Sequence, residues 1–528
     1  MDKTLESTAK NVILCLDGTD NEFGPKPFTN VLKLYRLLEK DSVQQICYYQ
    51  SGIGSSFKVE STDISELSYG KSKYDIINSQ VDTLIAFTLE KHVLDAYEFL
   101  ARYYNENDRI FIFGFSRGSF TARIIAGMLE IVGLVHYPTK DSVAMAWDIY
   151  SHWEYSGQPF IESPKTRVAQ QFKQTFSRKN VHIHFMGLWD TVNSVGFLWD
   201  RMFPFTIRSC HVKHIRHAVS IDERRSKFKQ MLFATKQESC MHEGSSCSSC
   251  NSYTTQSSWA SLSGLAGLAG LAGISDIIRR VTRGKTAVRP PPEVVDDLVE
   301  VFFPGDHADV GGGWPLDTAG QSLSNISFRW MLAQAIKFGV LFAPGSIKKW
   351  SVTNPSVASL FSTHHDALSF ASYPEFNHIR ESYVSLPEKA MNQFAGRSDD
   401  SFGHWCFWWM LECFPVFYKK ENHYGEWRRV YQPNLGHHRQ IPENCVLHWS
   451  YFYRLHYIHD YNPTNVPVQN ISTGFLQSLS DFKLFTFNEV QRYAENLTVA
   501  RIKNDWDGKI WAKIPDELAK LLEDNPNL

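Results

Sequence analysis

Short apolar runs that stop abruptly at a polar residue or a glycine recur along the chain. They are NVILCL before Asp17, QICYYQ before Ser51, IFIFGF before Ser116, VHIHFMGLW before Asp190 and LVEVFF before Pro304 and Gly305. Runs this short and this uniformly apolar predict strands buried on both faces. Between them the period lengthens. Val31, Leu34, Tyr35 and Leu38 recur at helical spacing behind a Thr29-Asn30 cap, Val93, Tyr97, Leu100 and Tyr104 form one stripe near residues 90 to 104, and Phe120, Ile124 and Met128 form another. Strands alternating with helices predict an α/β fold, a mostly parallel sheet with helices on both faces. Ligands of such sheets bind beyond the carboxyl ends of the strands, so Asp17, Ser116, Asp190 and His307 become the residues to watch.

The pattern breaks between residues 236 and 295, where Ser, Gly and Thr dominate, Leu-Ala-Gly repeats three times, and Pro290, Pro291 and Pro292 close the stretch. It predicts a flexible, low-complexity insertion. The expected organisation is a catalytic domain over 10–345, interrupted by 236–295, and a helical, aromatic-rich cap or accessory region over 346–528. Cys240, His242, Cys247 and Cys250 sit in the insertion without a second paired half, so no metal site is expected there. Later, WCFWWMLECF is too short to span a bilayer and predicts a buried aromatic helix.

Charge then narrows the partners. Lys and Arg total 54 against 56 Asp and Glu, a net charge of -2, which leaves no basic excess for a phosphate backbone and excludes nucleic acid as a partner. Nine cysteines without framework spacing fit a reducing, cytoplasmic setting. MDKTLESTAK has no apolar core of a secretory signal, and no stretch reaches the roughly 20 apolar residues of a transmembrane helix. Any membrane contact would be peripheral.

The chemistry is read from the turns. Gly114-Phe115-Ser116-Arg117-Gly118 fits Gly-x-Ser-x-Gly between a strand and a helix, the setting of a nucleophile held on a strained turn. A serine hydroxyl needs a base, and the base needs an acid to fix its tautomer. In the chain order of this architecture, serine then acid then histidine, Asp190 is the acid and His307, in PGDHADVGGG, the base. His217 is the rival base and Asp306 or Asp309 the rival acid, although HIRHAVSIDERR reads as a helix whose Asp222, Glu223, Arg224 and Arg225 form ion pairs. The N–H of Arg117 and one from Gly18 or Thr19 are the expected oxyanion donors, with Asp17 orienting that second loop.

Together LDGTDN, GFSRGSFTAR, GLWDTV, HAVSIDERR and FFPGDHADVGGG resemble a family of alpha/beta hydrolases that includes bacterial type VI secretion phospholipase effectors and many uncharacterised fungal proteins. The resemblance covers roughly residues 10 to 335, and HHDALSF with the aromatic segments beyond it looks like the fungal members. It implies a serine esterase whose nearest known activity is lipid acyl hydrolysis on a small-molecule or lipid ester, with Ser116 as nucleophile and no cofactor. Two other classes compete. Strand-end Asp17, Asp190, Asp306 and Asp309 could bind a divalent metal for phosphoester hydrolysis, but an aspartyl phosphohydrolase needs a nucleophilic Asp where Cys15 stands. The other is a non-catalytic binding protein on a hydrolase fold.

Overall fold

A computed structural model describes residues 9–18, 27–52, 73–151, 164–178, 180–192, 206, 211–233, 297–317, 319–369, 408–413, 416–421, 427–442, 445–458, 461–466, 485–486 and 517–528. The insertion and its four metal-ligand candidates lie outside them. The described strands are β1 (Asn11–Leu16), β2 (Gln45–Gln50), β3 (Arg109–Phe115), β4 (Leu134–Val135), β5 (Ser177–Arg178), β6 (Ile183–Trp189), β7 (Val212–Ser220), β8 (Asp297–Phe303), β9 (Val416–Glu421), β10 (Trp427–Gln432), β11 (Val446–Leu447) and β12 (Phe485–Thr486). The main helices are α1 (Asn30–Leu37), α2 (Lys73–Tyr103), α3 (Arg117–Ile131), α4 (Lys140–Ser151), α5 (Pro164–Phe176), α6 (His307–Gly311) and α7 (Ser324–Lys337).

One sheet organises the molecule in the order β12-β11-β8-β7-β6-β3-β1-β2. Every pair from β2 to β11 is parallel, and only β12 runs antiparallel at the edge. Because successive side chains leave a strand on opposite faces, β1 sends Val12, Leu14 and Leu16 into one core and Ile13 and Cys15 into the other. The first core is completed by α2 to α5, with Val93, Tyr97, Phe120, Ile124 and Trp147, and the second by α1 and α7, with Leu34, Phe328 and Met331. Covering both faces explains why these strands are apolar at nearly every position. The chain steps from β1 outward to β2 and then back across β1 to β3, so the crevice where strand order reverses opens between the carboxyl ends of β1 and β3.

Two expectations need revision. HIRHAVS is a strand, β7, in the middle of the sheet with β6 and β8 on either side. Pairing on both edges overrides its helix-like charge spacing, and the charged residues follow it in a turn, where Arg225 pairs with Glu223 and Arg224 with Asp366. The helix expected over residues 90 to 104 begins much earlier, at Lys73. After residue 345 the described chain has helices at Ser346–Thr353, Ser356–Leu360, Trp449–Tyr457 and Glu517–Asp524, and it also adds β11 and β12 to the sheet. Leu447, Trp449, Tyr451, Phe452 and Leu518 share one buried core with β1 and β3.

Candidate active site

β3 delivers the chain to Ser116, whose φ of 57° and ψ of -123° lie in a region that L residues rarely adopt. Two glycines make that turn sterically feasible. A Cβ on Gly114 would lie 2.7 Å from the Ser119 backbone, and one on Gly118 would lie 2.2 Å from the Leu16 carbonyl oxygen at the end of β1. Ser116 stands at the N-cap of α3, where a serine hydroxyl ordinarily accepts a hydrogen bond from the first turn. Here it makes no such bond. Its Oγ lies 2.8 Å from His307 Nε2 instead.

His307 opens α6, and the turn before it is built by Asp306, which caps the helix by accepting from the N–H groups of Ala308 and Asp309. Gly305 (φ 108°) reverses the chain just ahead of it, and a Cβ there would lie 2.3 Å from Asp309 Cβ. The imidazole stacks on Phe115, with ring centroids 4.6 Å apart, and meets the edge of Phe228 at 4.7 Å. Gly311 leaves room for the Phe115 ring, because a Cβ there would fall 1.8 Å from it. His307 Nδ1 lies 2.5 Å from Asp190 Oδ2. A carboxylate can only accept, so the ring proton sits on Nδ1 and Nε2 is left to accept from Ser116.

Asp190 follows β6 directly, with φ 38°, and its carboxylate is fully buried. Oδ1 accepts from the Ser220 N–H at 2.9 Å and from Arg439 Nη1 at 2.6 Å, while Oδ2 accepts from Arg439 Nη2 at 2.8 Å. Burial by itself would raise the Asp190 carboxyl, but Arg439 and His307 outweigh it and hold the group below the ordinary carboxylate range. Burial lowers the His307 imidazole from its ordinary value, against an upward pull from Asp190. Both groups therefore hold the charge states that a base and its supporting acid require at neutral pH.

The remaining sequence-predicted residues fall around this line. Asp17 accepts from the Gly18 N–H, the Thr29 hydroxyl and the Tyr49 hydroxyl, and Thr29 in turn caps α1. It ties the loop after β1 to its neighbours. Burial pushes its carboxyl up to about 6, with those three donors pulling it down. The Gly18 N–H is thus directed at Asp17 Oδ1, at 2.7 Å. Thr19 lies outside the described residues, and Arg117 opens the first turn of α3. Asp309 belongs to a different pair. It accepts from the Asp306 N–H and binds His365, Nδ1 to Oδ1 at 2.7 Å.

His217 is likewise committed elsewhere. Its Nε2 accepts from the Thr191 N–H at 3.1 Å, both residues buried, and its Nδ1 meets the half-buried Glu300 at 2.8 Å. His217→Phe should leave Ser116 as reactive as in the wild type. It should cost stability by about 1–3 kcal/mol, because the Thr191 N–H loses its acceptor in a dry setting. Thermal melts beside active-serine labelling check both halves, and lost labelling in a folded variant would restore His217 as the base.

Sequence reasoning missed the residues that brace the site from the C-terminal part. Arg439 is one. HHDALSF supplies three more: His364 reaches Asp222, His365 reaches Asp309, and Asp366 pairs with Arg224 at 2.5 Å. His365 also stacks on Trp314, at 4.5 Å and 10°. The only local signal was the row of charged and aromatic residues itself.

A model of the type VI secretion system phospholipase effector Tle1-like catalytic domain matches residues 10–334. The chain belongs to this family. The uncharacterized protein YEL023C of Saccharomyces cerevisiae is 34% identical over an alignment 663 positions long, spanning 99% of this chain and 96% of that protein. Among solved structures, an uncharacterized protein from Pseudomonas aeruginosa is similar at 16% identity and a TM-score of 0.31, over 76% of this chain and 62% of that one. The Tle1 effector bound to the VgrG spike from the type VI secretion system is similar at 16% identity and a TM-score of 0.25, over 60% of this chain and 52% of that one. The chain spans less than two thirds of either solved relative, and at such scores neither fixes where a side chain sits here. The Tle1-like match contains Ser116, Asp190 and His307 and ends before Arg439.

Proposed function

We propose that this Tle1-like protein is a serine ester hydrolase acting on lipid acyl esters, with Ser116 as nucleophile, His307 as general base and Asp190 as its supporting acid. One observation carries the proposal. Ser116, at an N-cap with its hydroxyl withdrawn from capping, bonds to a buried imidazole whose other nitrogen is held by an ionised carboxylate. An idle turn serine would be expected to cap α3.

Ser116 Oγ attacks the ester carbonyl as His307 Nε2 takes its proton, and Asp190 stabilises the imidazolium that forms. His307 then passes the proton to the departing alcohol, leaving an acyl-serine. A water molecule, deprotonated by the same nitrogen, attacks that acyl carbon, and the carboxylic acid leaves as Ser116 recovers its proton. The Arg117 N–H, at the positive end of α3, stabilises the charge that develops on the carbonyl oxygen. The family name supports a lipid acyl group as substrate. Peripheral contact with a membrane surface is in keeping with that, and no helix among the described residues is long and apolar enough to cross one.

The strand-end aspartates give little support to a metal-dependent phosphoesterase. Asp17 is held by three donors, Asp190 by Arg439 and His307, Asp306 by its cap and Trp314, and Asp309 by His365. Hydrolysis of a chain-length series of nitrophenyl esters and of phospholipid vesicles by wild type and Ser116→Ala tests the proposal. Turnover surviving in Ser116→Ala would overturn it.

The pH profile follows from His307, which works only when neutral. Because burial lowers its pKa from the ordinary 6.5, kcat/KM should rise with pH on a limb whose midpoint lies below 6.5, and should be flat at neutral pH. A midpoint above 7 would contradict the assignment.

A further inference from the structure

We infer that Arg439 is a positioning residue for this reaction, so that the segment after residue 434 completes an active site that the Tle1-like catalytic segment does not hold by itself. The inference rests on the proposed roles of Asp190 and His307, and it goes beyond them by assigning work to the C-terminal part.

The geometry is that of a built brace. The Arg439 side chain is fully buried and forms a fork on both carboxylate oxygens of Asp190, at 2.6 and 2.8 Å. Its Nε donates to the Phe228 carbonyl at 2.9 Å, and Nη1 donates to the Ser220 carbonyl and hydroxyl at 3.1 and 3.2 Å. The guanidinium thus ties the end of β6 to the end of β7 and to the turn carrying Phe228, whose ring packs on His307. A planar fork suits this task where a lysine would not, because two parallel donors fix the rotation of the carboxylate as well as its position. The rotation matters because Oδ2 must point at His307 Nδ1 while Oδ1 is taken by the Ser220 N–H.

Arg439 itself is placed by the C-terminal part. Its carbonyl accepts from Asn465, which also donates to the Ile221 carbonyl, at 3.0 and 2.8 Å. Just upstream, Asn434 and the Gly436 N–H are anchored by Glu412, and Glu412 also accepts from the Ser226 N–H in the turn before Phe228. The loop is therefore fixed at both ends to the strand-end turns of the catalytic sheet.

The charged and titratable groups facing the Asp190 and His307 pair are Arg439 from this loop, Glu223 and Arg225 from the turn after β7, and His217 of β7, which is neutral. Of these, only Arg439 forms an ion pair with Asp190 while leaving His307 untouched. Without its charge, burial dominates Asp190, and the pair takes up a proton at higher pH.

Arg439→Gln and Arg439→Lys, beside wild type and Ser116→Ala, test this on a soluble nitrophenyl ester, with thermal melts on every variant and an NMR titration of labelled histidine. Arg439→Gln should lower kcat by about 100-fold with little change in KM, and should move the acid limb upward by about one pH unit or more. Arg439→Lys keeps the charge and loses the fork, so kcat should fall about 10-fold with the limb in place. A folded Arg439→Gln with wild-type kcat and an unmoved limb would overturn the inference. So would losses in both variants that follow only the folded fraction. If Arg439→Gln does not fold, Arg439→Lys decides, and wild-type kcat there counts against the brace. Turnover retained by Ser116→Ala would instead sink the hydrolase proposal, and the histidine titration would still report whether Arg439 sets the proton affinity of the pair.

Discussion

Asp190→Asn is expected to lower kcat by about 10⁴-fold and stability by about 3–5 kcal/mol. Both losses come from one carboxylate. An amide at this position presents His307 with either a weaker acceptor or a competing donor, so the tautomer with a free Nε2 is no longer enforced and the imidazolium loses its counter-charge. The same substitution leaves the Arg439 guanidinium, fully buried, without its anion. Removing one partner of such a pair is far costlier than never having built it. Steady-state kinetics and denaturant unfolding separate the two effects. Asp190→Asn paired with Arg439→Met should recover part of the stability and none of the turnover, since the double variant restores neutrality in the cavity and not the acid. Undiminished kcat in Asp190→Asn would remove Asp190 from the reaction.

Gly118→Ala should be the most damaging conservative change near the nucleophile. Its new methyl would sit 2.2 Å from the Leu16 carbonyl oxygen and 2.5 Å from that of Asp17, both backbone atoms of the strand end beside the elbow. Something must move. Either α3 lifts away from β1 or the loop after β1 shifts, and each displaces Ser116 from His307 Nε2. A misplacement of about 1 Å at reacting atoms costs on the order of 100-fold in rate, and overpacking against backbone costs about 1–3 kcal/mol. The check is kcat against melting temperature. A variant that melts lower while keeping wild-type kcat would mean that the turn relaxes without moving the serine.

The parts of this structure that are legible in the sequence are those whose determinants are local. NVILCL, IFIFGF and VHIHFMGLW must be buried on both faces, and that requirement alone places them in a parallel sheet with helices outside. Gly114 and Gly118 flank Ser116 because of contacts within a few residues of it and with the adjoining strand end, so the elbow announces itself. Asp190 and His307 were singled out because this architecture puts polar side chains at strand ends, where chain order could then be used, and the fold brings both into line with Ser116.

β7 was misjudged because charged residues at Asp222, Glu223, Arg224 and Arg225 gave its end a helix-like spacing, while the pairing that makes it a strand comes from β6 and β8. Gly18 was offered as an oxyanion donor because sequence places it beside the elbow. Sequence could not show that its N–H turns back onto Asp17. Arg439 was invisible for a simpler reason. It meets Asp190 across 249 residues of chain, from a short loop with no periodicity, on the far side of the low-complexity insertion. HHDALSF was read only for its likeness to the fungal members, because the partners of His364, His365 and Asp366 lie in the turn after β7 and in α6, which only the tertiary fold brings to it.

The most direct measurement is mass spectrometry of the purified full chain after exposure to a fluorophosphonate probe, wild type beside Ser116→Ala and His307→Ala. An activated serine predicts one covalent adduct on the wild type, mapped to the peptide containing Ser116. It should be absent from Ser116→Ala and formed at least about 10³-fold more slowly by His307→Ala, since the hydroxyl is a poor nucleophile without its base. Folded wild-type protein that takes up no probe, or an adduct that persists in Ser116→Ala, would contradict Ser116 as the nucleophile.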